Sequence, residues 1–268
     1  MISPIDAPAL AALSLPDLVR RMDDILGCSI IERDGAIPDE LYHYRVSQII
    51  TTRRVSKLPE DTQRYLAHIV FSYLVQSEMG SVVSGISNAL LYNERYDEKL
   101  SWQSPIFRLR HGALHQYQIV SSRIAMEIFM DILYCIDTRQ RLDKKKSKLK
   151  AFRKWLCDPD NDFHYFAHVL LAAYRFDRGI RTPEVHGTPK LPKRLLLLQK
   201  PSHNEMNECH NLTNTLSGCW HPLVDLLNET KPSYMQISEA DMEWFHAYMA
   251  GTEENVVTKL SLMFEETN

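Results

Sequence analysis

Hydrophobic residues recur along this chain at steps of three and four, the spacing that lines one face of an α-helix. No Val/Ile/Thr-rich alternating run lies between Asn-Gly or Asp-Gly turns, and only nine glycines occur in 268 residues. The pattern predicts an all-α protein. A first short helix runs from Leu15 to Leu26 with Leu18, Met22 and Ile25 on one face and Gly27 as its stop. The stretch CSIIERDGAIP that follows reads as a loop or one short strand. From Asp39 the pattern LYHYRVSQIITTRRV is helical until Pro59 closes it.

A helix with an acidic first turn then runs from Pro59 to Gly80 and buries Leu66, Ile69, Val70, Tyr73 and Leu74, and Ser81 to Tyr96 reads as a further one. The longest element is Pro105 to Thr138, interrupted only by Gly112. Its core face is Leu114, Ile119, Ile124, Ile128, Leu133 and Ile136. After the turn CDPDN, Asp160 or Asn161 caps DFHYFAHVLLAAYRFDR, whose Tyr165, Phe166, Tyr174 and Phe176 are core aromatics. Ser202 to Asn228 is another long helical stretch. The remainder holds an acidic segment opening at Ser238 and an amphipathic piece from Glu253 to Phe264.

Three regions follow from this order: a helical N-terminal region over 1–100, a bundle over 101–230 and a helical extension over 231–268, with YDEKLSWQSP as the first boundary. Apolar residues make up 44%, enough for a packed core. A formal charge of −3 excludes a generally basic coat for nucleic acid or lipid, so any such contact is local. No run approaches the ~18 apolar residues of a membrane span. The start, interrupted by prolines and acids, has no basic leader. Five irregularly spaced cysteines fit a reducing cytoplasm.

The one dense positive run, RQRLDKKKSKLKAFRKW, must face water, and its Lys144, Lys145, Lys146, Lys148 and Lys150 are candidates for tracking an RNA backbone. A solvated linker is the plainer reading. Cys209, His210, Cys219 and His221, with His203 nearby, have the residue types of a zinc site, but their spacing matches no common finger, and buried thiols with exposed histidines are expected. No Gly-rich phosphate loop, nucleophile-elbow serine or HExxH string is present, and no metal or cofactor is implied.

The most particular chemistry lies in RTPEVHGT. Arg181 and His186 are five positions apart, and in an uninterrupted helix they would diverge by about 140°. A helix start between them changes that. Thr182 is a good N-cap, Pro183 a good first helical residue, and Glu184 suits the positive end of the helix dipole. Arg181 and His186 then occupy the positions that meet across a helix start. A cation, an imidazole and free backbone N–H groups at one point suit a phosphate in transfer. Arg110 and His115 repeat the spacing inside a continuous helix, where they face apart.

Following the helix end AAYRFDRGI, this string resembles the HEPN superfamily, helical bundles whose ribonuclease members carry an Arg, four to six residues, then a His at the start of a late helix. The resemblance covers roughly 105–228. It implies a HEPN-like bundle behind the helical N-terminal region, with Arg181 and His186 as the active residues of a metal-independent endoribonuclease. It further implies a homodimer whose two motifs face one another, a toxin–antitoxin or antiviral setting, and an antitoxin or other inhibitory partner. Thr182 departs from the Asn, Asp or His often found after the arginine. An acidic residue on the first long helix often accompanies the motif, and Glu127 or Asp131 stands in that region. The competing reading is a non-catalytic helical module that dimerises and binds a nucleotide or a protein partner.

Overall fold

The computed structural model describes residues 12–31, 46–94, 104–142, 148–156, 158, 161–176 and 203–230. The protein is all-α, and no strand occurs among these residues. The helices are α1 Leu15–Ile31, α2 Val46–Ile50, α3 Glu60–Glu94, α4 Pro105–Thr138, α5 Lys148–Leu156, α6 Ala167–Phe176, α7 His203–Gly218 and α8 Trp220–Leu227. Single 3-10 turns occupy Val55–Lys57 and His164–Phe166. None of these helices is long and apolar enough to cross a membrane.

The two longest helices, α3 and α4, form the axis of the molecule. Tyr65 meets Asp131, Gln76 meets Ser121 and Met79 meets Tyr117, so their partners run in opposite directions and the pair is an antiparallel hairpin. Ser104 caps α4, its Oγ accepting from Phe107 N–H, and Pro105 follows as the first helical residue. Both sides of the 95–103 segment, where the composition places a boundary, contribute to one core. Tyr73 of α3 stacks on Trp220 of α8 at 5.7 Å and leans on Phe129 of α4 at 5.4 Å. Packing of α1, α2, α6 and α7 around this axis completes the core.

Several boundaries differ from the expected ones. α1 passes Gly27 and continues to Ile31. Its buried arc is centred between Leu18 and Val19, so Ile25 lies at the edge and is 40% exposed while Leu26 is buried. α3 continues through Gly80 to Glu94, so the expected helix from Ser81 is part of it. A helical glycine costs only about 1 kcal/mol relative to alanine, which is too little to end a long helix by itself. On α4, Ile124 faces outward. The 202–228 stretch breaks at Cys219, because Pro222 cannot donate to the carbonyl of Gly218 and would collide with it in a continuous helix.

One consequence is testable in the hairpin itself. A Cβ built at Gly85 meets nothing within 4 Å, and the residue is helical. Gly85→Ala is therefore expected to stabilise the protein by about 0.5–1 kcal/mol through helix propensity alone, read as a higher urea midpoint at unchanged slope.

Candidate functional site

The polar chemistry of the described residues gathers on one side of α4, where the positive run leaves it and returns. α4 ends at Arg139, which adopts the left-handed conformation with φ 59° and donates its N–H to the carbonyl of Cys135. The chain turns back along the helix. Leu142 N–H then donates to Asp131 Oδ1 at 2.9 Å, and the Leu142 side chain is buried. Asp131 Oδ2 accepts from the Tyr65 hydroxyl at 2.7 Å, and the guanidinium of Arg141 lies 3.8 Å from the centre of the Tyr65 ring.

One turn earlier on α4, Glu127 Oε2 lies 3.6 Å from Lys148 Nζ, and its Oε1 accepts from Arg123 Nε at 2.9 Å. Asp131 thus holds the chain just before residues 143–147, and Glu127 holds it just after them. Two carboxylates four residues apart anchor the ends of the basic segment. Beyond it, α5 buries Phe152 and Leu156 and leaves Lys150 and Lys154 exposed. A rigid helix presenting lysines to solvent is a suitable footing for a phosphate backbone.

Burial raises the Tyr65 hydroxyl above its ordinary range, reinforced by its bond to Asp131 and by the charge of that carboxylate; Arg141 opposes this only in part. Burial, with the Asp131 charge behind it, pushes the Cys135 thiol up to about 11. Both groups stay neutral near pH 7, so Tyr65 remains a donor and Cys135 is not a thiolate nucleophile. The thiol's stabilising contribution is fully present below its ordinary value of 9.0 and is lost as the pH rises through about 11. Stability should therefore fall by about 2 kcal/mol across that window from this group. Urea titrations at several alkaline pH values should show the fall, and Cys135→Ala should flatten it.

A second polar node fixes the approach to α6. Arg54 Nη2 donates to Asp137 Oδ1 at 2.8 Å, its Nη1 lies 3.6 Å from Asp162 Oδ2, and its guanidinium covers the Phe163 ring at 5.1 Å. Trp155 Nε1 donates to the other oxygen of Asp137 at 2.9 Å. Asn161 donates to the carbonyl of Trp155 and accepts from Phe163 N–H, a local turn ahead of the His164–Phe166 3-10 turn; it does not cap α6 as expected, because that helix begins only at Ala167. With Ala167, Val169, Ala173 and Phe176 buried, α6 is tied to the core along its length.

Arg181, Thr182, Glu184 and His186 lie outside the described residues, as do Lys144, Lys145 and Lys146. The structure brings Asp131 to Tyr65 and Leu142, and Glu127 to Lys148. It places Lys150 in solvent. Arg110 is exposed and His115 is buried, on separate faces of α4. Cys209 and Cys219 are buried thiols, and His221 is exposed, its Nε2 3.8 Å from Asp225. Among the described residues no three His, Cys, Asp or Glu side chains are grouped to hold a metal. Tyr65, Arg54, Asp137, Trp155 and Asp162 were not legible as a polar network, because their contacts join helices distant in sequence. No protein-family model matches the chain, and neither a curated protein nor a solved structure matches it.

Proposed function

We propose that this chain is a metal-independent endoribonuclease, acting as a homodimer in the cytoplasm as a toxin or antiviral effector restrained by an inhibitory partner. The observation that carries the reading is the string RTPEVHGT, five residues beyond the last described residue of α6 in an all-α chain. In this reading His186 takes the proton from an RNA 2′-hydroxyl. The 2′-oxygen then attacks the adjacent phosphorus and the bond to the 5′-oxygen breaks, the 5′-oxygen taking a proton from water or from protonated His186, which leaves a 2′,3′-cyclic phosphate and a free 5′-hydroxyl. Arg181 stabilises the charge that develops on the phosphoryl oxygens.

Two features support it. α6 leads into the string from a helix tied to the core, which suits a site that must hold geometry. Lys150 and Lys154 stand exposed on α5, the helix whose end Asn161 links to the approach to α6. The test is cleavage of labelled total RNA by the full chain in EDTA, comparing wild type with Arg181→Ala and His186→Ala. Metal-free cleavage that both variants abolish supports the assignment; equal cleavage by all three overturns it.

A second reading, a non-catalytic helical module that dimerises and binds a nucleotide or a protein, is favoured by one observation. The hairpin of α3 and α4 leaves a continuous apolar face exposed.

A further inference from the structure

Of the eight large hydrophobic side chains exposed among the described residues, seven lie on the α3/α4 hairpin, each between 37% and 64% exposed. On α4, Ile106, Leu109, Ala113, Tyr117, Val120 and Ile124 fall within a wedge of roughly 80°, and the stripe they form is about 27 Å long. On α3, Met79, Val82 and Ile86 follow the same helical spacing. Met79, Val82, Val83 and Ile86 line a groove of about 740 Å³ with Ala113, Leu114 and Tyr117 of α4, its charged lining being Glu78 and Arg110, and Ile106, Leu109, Val120 and Ile124 extend the apolar stripe beyond it along α4. Such a concentration on one face is the mark of an interaction surface rather than of scattered surface hydrophobics.

We infer that this face is the contact between two copies of the chain, with the α4 helices packed antiparallel about a two-fold axis near residue 115. A two-fold contact uses the same patch on both subunits, so the patch must fit itself when reversed. The α4 stripe does. Reversal sets Ile106 against Ile124 of the partner subunit, Leu109 against Val120 of the partner subunit, and the small Ala113 against the ring of Tyr117 of the partner subunit. Small facing large is how helix faces interdigitate. A parallel pairing would set Arg110 beside Arg110 of the partner subunit and crowd the two Tyr117 rings.

The size is adequate. The seven large apolar side chains, about half exposed on average, present roughly 80 Å² each and about 550 Å² per copy, so two such faces together pass the ~1,000 Å² expected of a specific interface. The contact stands on geometry alone and holds whether or not the chain cleaves RNA.

The test is the solution mass of the full chain at micromolar concentration by light scattering, with far-UV circular dichroism to confirm folding. Wild type is expected at twice the 31.1 kDa chain mass. Leu109→Glu and Val120→Lys, both at exposed positions, should each run as folded monomers, because a charge would be buried against the partner; dimer affinity should weaken roughly 100-fold or more. Antiparallel register brings the two substituted positions together, so the double variant should recover the dimer. A monomeric wild type, a single variant that stays dimeric, or a double variant that stays monomeric would each overturn the inference. So would a monomeric wild type that binds a hydrophobic dye at this face only after removal of residues 253–268, which would assign the groove to the chain's own C-terminal segment.

Discussion

Alanine at His186 is expected to lower metal-free RNA cleavage by about 10²–10⁴-fold, the usual contribution of one general acid–base group. The imidazole is the one group in the string suited to taking a proton near neutral pH. Cleavage by wild type should accordingly fall as acid protonates it, since a protonated imidazole cannot accept the 2′-hydroxyl proton. Arg181→Ala should remove a comparable factor through lost charge on the phosphate. Arg181→Lys should restore part of it, because lysine supplies the charge without the planar two-point donor. A scaffold that only binds RNA would show neither the pH dependence nor the partial rescue. Circular dichroism of each variant separates loss of chemistry from loss of fold, and overexpression supplies an independent readout, since relief of growth inhibition should track the lost cleavage.

Helix period made the fold class and the largest elements legible. Pro105 to Thr138 was bounded correctly because Ser104 and Pro105 announce its start and its apolar period persists throughout. Gly27 and Gly80 read as stops, yet α1 runs on to Ile31 and α3 to Glu94, because one helical glycine costs only about 1 kcal/mol and does not by itself end a helix. Asp131 and Glu127 are legible only as acidic residues on the first long helix, and the structure engages both with the ends of the basic segment. That role depends on a left-handed residue at Arg139 which folds the chain back along α4, and nothing in the local sequence calls for one there. The exposed apolar stripe on α4 is not among the sequence expectations, which place only one of its residues, Ile124, and place it in the core. A long helix with two apolar faces does not declare which one its own chain will cover, and Ile124 was accordingly assigned to the core.

Asp131→Ala should destabilise the protein by about 2–5 kcal/mol, because it strands two donors together, the hydroxyl of Tyr65 and the N–H of Leu142. Tyr65→Phe, which takes the donor from the buried Asp131 Oδ2 but leaves Oδ1 its bond to Leu142 N–H, should cost about 1.5–3 kcal/mol. The two effects should not add. With the hydroxyl already gone, Asp131→Ala leaves one orphan instead of two, so the double variant should be about 1 kcal/mol more stable than the sum of the singles. Leu142 links the thermodynamics to the basic segment, since its N–H anchors the chain on Asp131 while its side chain is buried. Trypsin should therefore cut the Arg139–Lys150 stretch faster in Asp131→Ala than in wild type, and faster than in Glu127→Gln, where the lost partner is a lysine 3.6 Å away at the surface. The same variants separate the two roles open to this carboxylate. An Asp131→Ala protein that unfolds at the wild-type urea midpoint yet loses RNA cleavage would place Asp131 in the chemistry. A lowered midpoint, with cleavage retained wherever the variant remains folded, marks it as the anchor that holds the basic segment against α4.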